Sequence, residues 1–142
     1  MQTEDNRIEK GFGKWKTVTK IKPTKKQLEL METAWKFISR IRSNSIIVID
    51  KDLPMTRGIG SGQTSRVRST KIALREAGKY AKNAILASDS FFPFDDSVKL
   101  AAEKGISAII QQGGSVNDKL SIKAANKAGI SMVLTGRRAF WH

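Results

Sequence analysis

The fold class is decided by residues 83–136, NAILASDSFFPFDDSVKLAAEKGISAIIQQGGSVNDKLSIKAANKAGISMVLTG. Short apolar segments alternate here with longer segments whose apolar residues recur at helical spacing. The strand-like segments are NAILAS (83–88), ISAIIQQ (106–112) and ISMVLTG (130–136), and the helical ones are DDSVKLAAEKG (95–105) and SVNDKLSIKAANKAG (115–129). Strand–helix units of this length predict parallel strands with helices packed on the faces of the sheet, so the predicted class is α/β, arranged as a three-layer sandwich.

The N-terminal part of the chain begins with a polar segment and then a helix. Residues 1–22 are polar and lack clear periodicity, so they are predicted to form an arm or linker ahead of one domain over residues 23–142. Thr24 and Gln27 have the spacing of a capping box. Apolar residues follow at helical intervals, which predicts an amphipathic helix over residues 25–41.

Three further segments connect this helix to the alternating region. SIIVID (45–50) is typical of a buried strand, and MTRGIGSG (55–62) of a short strand followed by a glycine-rich turn. TSRVRSTKIALREAGK (64–79) has the pattern of a helix, and Gly78 suits its C-terminal end.

Composition bounds the classes of function. The chain has 142 residues and a net charge of +13, which favours an anionic partner such as a nucleic acid, a phosphorylated metabolite or an acidic surface, or simply a basic soluble surface. No apolar run approaches the ~20 residues of a membrane span, and residues 1–13 lack an apolar signal core, so a cytoplasmic protein without a membrane partner is predicted. Cysteine is absent and the one histidine is His142, which excludes a zinc site of the usual Cys/His type and a Ser-His-Asp system within this chain.

Four unusual segments follow predicted strands. They are GIGSGQTSR (58–66), SDSFFPFDD (88–96), QQGGS (111–115) and TGRRAFWH (135–142). In open α/β sheets, ligands bind beyond the carboxyl ends of the strands. The four segments are therefore expected to converge on one cleft.

Two of these segments combine glycines with the start of a helix. In GIGSGQTSR, backbone N–H groups and Arg66 would suit an anion, although glycines before a helix often serve only the geometry of the turn. In QQGGS, Ser115 is predicted to be the N-cap of the next helix, and a ligand on the same N–H groups remains compatible with that.

The segment FFPFDD places three phenylalanines beside Asp95 and Asp96. Such a wall would suit a flat heterocycle with donor groups, since the rings stack while a carboxylate accepts hydrogen bonds, as a pterin or purine requires. The alternative is that the rings plug the edge of the sheet while one aspartate caps the next helix.

Five ordered blocks carry a resemblance to a known family: SNSIIV, GIGSGQTSRV, LASDSFFPFDDSV, IIQQGGSVND and TGRRAFWH. Together they resemble the C-terminal part of the AICAR transformylase domain of the bifunctional purine biosynthesis proteins, from about Trp15 to the last residue. AICAR is aminoimidazole carboxamide ribonucleotide. The resemblance implies a cytidine-deaminase-like subdomain without zinc, the second of two in that domain. It also implies a formyltransferase in purine biosynthesis that moves a formyl group from 10-formyltetrahydrofolate to AICAR.

The resemblance also implies roles for individual residues. Asn44 would act in the formyl-transfer region, touching the substrate and the developing oxyanion. The residues implied to bind AICAR are Asn44, Arg66, Phe91 and Arg138; those implied to bind the folate are Val67, Asp96, Ser115 and Val116; and those matching positions around a potassium ion are Ser43, Ser45 and Asp89.

This chain departs from the family in four respects. Asp95 stands where arginine is common, and Gln112 where proline is common, both near the implied folate site. The catalytic Lys-His pair of the family belongs to the first subdomain and has no counterpart here, and the cyclohydrolase domain is absent. The resemblance therefore implies half of an enzyme, an oligomer that needs a partner chain carrying the first subdomain.

Two other function classes remain open. A non-catalytic nucleotide- or folate-binding module would keep the pocket without the reaction. A basic nucleic-acid-binding protein would explain the net charge, but the aromatic residues cluster with acids rather than with lysines, and no nucleic-acid motif is recognisable, so nucleic acid is the least favoured partner.

Overall fold

The computed structural model describes residues 15–136, and the α/β class is confirmed in them. The strands are β1 (Lys16–Thr17), β2 (Ile46–Ile49), β3 (Thr56–Gly60), β4 (Ile85–Ser88), β5 (Ala108–Gln111) and β6 (Ser131–Leu134). The α-helices are α1 (Lys25–Ile38), α2 (Arg66–Ala77), α3 (Asp96–Glu103) and α4 (Asp118–Ala128), and a 3₁₀ turn over Gly78–Ala81 follows α2.

The strands form one mixed sheet in the order β1-β6-β5-β4-β2-β3. β4, β5 and β6 are parallel, as the alternating pattern predicts. However, β2 runs antiparallel to both of its neighbours, β3 and β4, and β1 runs antiparallel to β6. The parallel pairing predicted for the strands of residues 83–136 is therefore confirmed, and the antiparallel strands β1, β2 and β3 lie outside that segment.

Helices cover both faces of the sheet. Met31, Trp35 and Ile38 of α1 pack with Ile47 and Ile110 on one face. On the other face, apolar side chains of α2, α3 and α4 pack with those of β2, β4, β5 and β6. The residues of β2, β4 and β5 and most of those of β6 are almost fully buried, so burial of apolar surface fixes the register of these central strands.

The ends of α1 follow from local hydrogen bonds. Thr24 Oγ1 accepts from the Gln27 backbone N–H at 3.0 Å, and Gln27 Oε1 accepts from the Thr24 N–H at 2.9 Å, so the predicted capping box is confirmed. At the other end, the N–H groups of Arg40 and Ile41 bond to carbonyls three residues back. The chain leaves the α-helix in these tight turns, so α1 ends at Ile38, before the predicted boundary at residue 41.

Part of the predicted arm joins the sheet. Lys16 and Thr17 pair with Leu134 and Val133, and the Val18 N–H donates to the Met132 carbonyl at 3.0 Å. Residues 1–14 lie outside the described residues. The division into an arm and a domain stays a prediction.

Within residues 15–136 there is no helix long and apolar enough to cross a membrane.

Candidate functional site

One edge of the sheet gathers the residues predicted to act together. β3 and β4 are both antiparallel to β2, so the carboxyl ends of β3, β4, β5 and β6 and the start of β2 all lie at this edge. Cross-strand pairing fixes the arrangement, because Ile46 pairs with both Gly60 and Ser88. The segments after β3, β4 and β5 therefore meet there, together with residues 43–45. Residues 137–142, including Arg138 and His142, lie outside the described residues.

A hydrogen-bonded cluster around Arg66 forms the centre of this edge. Arg66 lies in the first turn of α2 and its side chain is only 9% exposed. Its Nη1 pairs with Asp89, whose side chain is 1% exposed, and its Nη2 donates to Asn44 Oδ1 at 2.8 Å and to Ser90 Oγ at 2.6 Å. The guanidinium is thus compensated by a buried carboxylate, a pairing that the sequence analysis did not predict.

Asn44 is fixed from several sides. Its Nδ2 donates to the Gln63 carbonyl at 3.1 Å, its backbone N–H donates to the same carbonyl at 3.3 Å, and its own carbonyl accepts from Ser69 Oγ at 2.6 Å. The side chain is half-buried. Asn44, Arg66 and Asp89, which are predicted site residues, are therefore joined in one network.

The predicted cation residues also lie together. Ser43 Oγ donates to Asp89 Oδ2 at 2.5 Å, and the Asp89 N–H donates to the Ser45 carbonyl at 3.2 Å. Ser45 is fully buried, and its Oγ has no hydrogen-bond partner within residues 15–136.

The three phenylalanines after β4 have different environments. Phe92 is fully buried in the core, and its N–H donates to Gln111 Oε1 at 2.9 Å. Phe91 and Phe94 are 38% and 58% exposed. The plug interpretation is thus correct for Phe92, which anchors the segment, while the other two rings offer apolar surface to a ligand or partner.

The two aspartates of this segment do not cap α3 through their side chains. Asp95 occupies the N-cap position without a side-chain capping bond, and its carboxylate pairs instead with Lys99 at 3.2 Å. Asp96 is exposed, and its Oδ1 accepts from the neighbouring Ser97 N–H at 2.9 Å.

The segment after β5 corrects the predicted N-cap. α4 begins at Asp118 with Asn117 at the N-cap position, so Ser115 does not cap it. The Asp118 carboxylate accepts from the N–H groups of Gly114 at 2.7 Å and Ser115 at 3.1 Å. These two N–H groups are therefore already bonded within the chain. Val116 is 96% exposed at the tip of this loop.

The remaining folate prediction, Val67, is half-buried in the first turn of α2. Sequence reasoning missed Gln63, Ser69 and Ser90, all of which bond to Asn44 or Arg66. Ser69 carried a signal, because it is a polar residue on the apolar face of a predicted helix.

The described residues hold no group of three or more histidine, cysteine, aspartate or glutamate side chains arranged for a metal ion. A cavity of about 420 Å³ lies at the C-terminal end of α1, lined by Thr33, Lys36, Phe37, Arg40 and Ile41. None of the predicted site residues lines it.

Comparison with known proteins identifies relatives over the whole chain. The sequence model of the AICARFT/IMPCHase bienzyme matches residues 1–76, more than half of the chain. The bifunctional purine biosynthesis protein PurH of Prochlorococcus marinus (strain NATL1A) is 53% identical over 129 residues, covering 91% of this chain and 24% of that protein. PurH of Nostoc punctiforme (strain ATCC 29133 / PCC 73102) is 52% identical over 142 residues, covering 100% of this chain and 27% of that protein.

This chain thus spans about a quarter of the length of the curated relatives it matches. Among solved structures, Acinetobacter baumannii RibD, form 1, has a TM-score of 0.49 at 15% identity over 73% of this chain and 32% of its own. A similarity of that size carries no argument about function.

Proposed function

This chain belongs to the AICARFT/IMPCHase bienzyme family, and from that membership we propose that it supplies the second, cytidine-deaminase-like half of an AICAR transformylase site. The reaction transfers a formyl group from 10-formyltetrahydrofolate to the 5-amino group of AICAR. The amine attacks the formyl carbon, the bond from that carbon to N10 of the folate breaks, the amine loses a proton and N10 gains one. The products are formyl-AICAR and tetrahydrofolate.

The observation that carries this proposal is the convergence of Asn44, Arg66 and the segment 89–96 at one edge of the sheet. Asn44 and Arg66 are joined by a hydrogen bond of 2.8 Å, and Phe91 exposes part of its ring at the same edge. A half-buried amide, a compensated guanidinium and an exposed aromatic ring suit a polar, flat substrate better than a polyanion. This favours AICAR over nucleic acid.

On this proposal, Asn44, Arg66 and Phe91 contact AICAR, and Arg138 contributes from outside the described residues. Val67, Asp96, Ser115 and Val116 form the folate side. The exposed Asp96 carboxylate retains acceptor capacity for the donor groups of a pterin. Because the N–H groups of Gly114 and Ser115 already bond to Asp118, the folate contacts of this loop come from side chains such as Val116.

The proton acceptor for the attacking amine comes from another part of the assembled enzyme. Residues 15–136 contain no histidine, and His142 is the only one in the sequence. The first subdomain of the family, with its Lys-His pair, is therefore the required partner. The same proposal includes that the complete enzyme is an oligomer.

A potassium ion also fits the residues that the family resemblance implies. Ser45 Oγ is buried without a partner among the described residues, and the oxygens of Ser43 and Asp89 lie in the same cluster. Hydroxyl and carboxylate oxygens are hard donors of the kind that hard cations bind. Ser43, Ser45 and Asp89 would hold the ion, which would supply positive charge at the edge of the site.

Asp96→Asn tests the folate assignment in the assembled enzyme, formed with the remaining part of a family member. The substitution keeps the shape of the side chain but replaces an acceptor oxygen by a donor. We expect the KM for 10-formyltetrahydrofolate to rise about 10-fold or more, because a hydrogen bond to a charged group is worth about 1.5–3 kcal/mol, while the KM for AICAR holds.

Asp95→Asn is the matched control, since the neighbouring carboxylate pairs with Lys99. It should change neither constant more than about twofold, as surface ion pairs contribute little. Equal effects of the two substitutions, or no effect of Asp96→Asn on the folate constant, would remove Asp96 from the site.

A further inference from the structure

The side-chain amide of Asn44 is held in one orientation by bonds at both of its ends. Its Oδ1 accepts from Arg66 Nη2 at 2.8 Å, and its Nδ2 donates to the Gln63 carbonyl at 3.1 Å. A flip of the amide would place Nδ2 against the guanidinium and Oδ1 against the carbonyl, which pairs donor with donor and acceptor with acceptor. The network therefore excludes the flipped state as long as Arg66 keeps its position.

Arg66 is in turn held by two buried groups on the segment after β4. Asp89 pairs with Nη1, and Ser90 accepts from Nη2 at 2.6 Å; the two residues are 1% and 4% exposed. The second carboxylate oxygen of Asp89 accepts from Ser43 Oγ at 2.5 Å. Asp89 thus connects the residue before Asn44 to the guanidinium that orients its amide.

This arrangement defines what Asn44 offers to a ligand. Nδ2 carries two N–H groups, and Gln63 uses one of them. The other has no acceptor among residues 15–136, whereas Oδ1 faces a cation. The half-buried amide is therefore arranged to donate a hydrogen bond to a ligand oxygen.

We propose that Asp89 is a positioning residue that fixes the Asn44 amide through Arg66, so that Asn44 presents an N–H donor to the formyl oxygen. The catalytic meaning of this inference rests on the proposed function, while the positioning itself is a property of this chain. Asp89 does not touch the substrate in this role. Arg66 orients Asn44 while its charge is balanced by Asp89.

The positioning is tested by NMR on the 142-residue chain. The Asn44 side-chain NH₂ is assigned by the pair of signals that Asn44→Asp removes. In the wild type we expect two well-separated proton shifts and slow exchange with water for one of the two protons, because the Gln63 carbonyl accepts a hydrogen bond from only one N–H. In Asp89→Asn we expect the two shifts to converge and exchange to quicken at least about 10-fold, the equivalent of about 1.4 kcal/mol.

Asp50→Asn is the matched control. Asp50 also pairs with an arginine, Arg57 at 2.8 Å, but it follows the opposite end of β2 from Asn44. It should leave the Asn44 signals unchanged, which separates positioning from general loosening of the fold. Arg66→Lys is the second variant: it keeps the charge beside Asp89 but loses the planar fork, so it should release Asn44 in the same way. Unchanged Asn44 signals in both Asp89→Asn and Arg66→Lys would overturn the proposal.

Activity of the assembled enzyme provides the second readout. We expect Asp89→Asn to lower kcat about 10²-fold with the folate KM unchanged, because a misdirected donor costs transition-state stabilisation rather than binding. Altered NMR signals with unchanged kcat would overturn the assignment of Asn44 to the reaction and leave the network intact. The failure of the positioning and the failure of the proposed function are thus distinguishable.

Discussion

Asp50 is the residue at which protonation and stability are most directly connected. Burial raises the pKa of its carboxyl, but hydrogen bonds from the N–H groups of Asp52 and Leu53 and from Arg57 outweigh this and hold the pKa below its ordinary value of 3.8. These bonds are 2.8–3.0 Å long and close the turn between β2 and β3. The ionised form is therefore favoured in the folded state.

Because the folded pKa lies below the unfolded one, Asp50 stabilises the fold above about pH 4, and this contribution is lost as the pH falls through the folded pKa. Asp50→Asn should lower the free energy of unfolding by about 1–3 kcal/mol at pH 7, with the difference shrinking below pH 4. Urea titrations across this range measure it, with the exposed Asp52→Asn as control. A pH-independent difference would show that ionisation of Asp50 is not the cause.

At Arg66, some features of the candidate site could be predicted from the sequence and others could not. Its position at the start of a helix after a glycine turn was readable from the sequence, and so was its place beside the segment that follows β4. Its pairing with Asp89 could not be predicted from the sequence, because the two residues are 23 positions apart. They meet only when β4 pairs with β2 and α2 packs on the same sheet. Which side chain compensates a charge is set by tertiary packing, which no local pattern encodes.

At the scale of elements, the positions of most strands and helices and the parallel direction of β4, β5 and β6 were predictable, whereas the direction of β2 was not. Apolar runs such as SIIVID show that a segment is buried on both sides, but the same run fits either direction of pairing. The antiparallel pairing of β2 with β4 joins residues that are far apart in the chain, such as Ile46 and Ser88, whereas β3 is the next strand along the chain. β1 was missed because Lys16 and Thr17 are exposed and carry no apolar alternation.

Two glycines of β3 let α2 pack closely against this strand, and the close packing positions residues of the candidate site. A Cβ atom at Gly60 would lie 2.0 Å from the Ser69 carbonyl oxygen, and one at Gly58 would lie 2.0 Å from that of Ala73. Both contacts are to backbone, which cannot rotate away. Close approach of the helix also places Ser69 Oγ against the Asn44 carbonyl, at 2.6 Å. The GIG sequence of β3 is thus a packing requirement for the candidate site.

Gly60→Ala should therefore displace the first turns of α2, lowering the free energy of unfolding by about 1–3 kcal/mol or more and loosening Asn44. Gly78→Ala is the control, because its φ of +55° costs backbone strain while nothing lies within 4 Å of its Cβ position. Thermal unfolding and amide exchange at Asn44 measure the two effects. Equal stability losses, with Asn44 unaffected in both, would contradict the close-packing account.

At the scale of the whole molecule, the proposed function makes the chain one side of a reaction centre. Its polar edge orients an amide and exposes aromatic surface, but residues 15–136 offer no histidine to accept the proton of the attacking amine. A net charge of +13 gives the chain an electrostatic attraction for anionic ligands, which speeds encounter but does not supply a base. The isolated chain is therefore expected to bind anionic ligands without catalysing the reaction.

We therefore expect the isolated 142-residue chain to transfer formyl groups at a negligible rate. General acid–base assistance is worth about 10²–10⁴-fold, and the Lys-His pair implied by the family lies outside this sequence. Activity should appear when the chain is mixed with one that carries the first transformylase subdomain. The absorbance change on formation of tetrahydrofolate measures this activity. The His142→Ala variant is the control for the one imidazole in the sequence. In the mixture it should be as active as the wild-type chain. Rapid turnover by the lone chain, preserved in His142→Ala, would contradict the half-site proposal, because another group of this chain would then have to accept the proton.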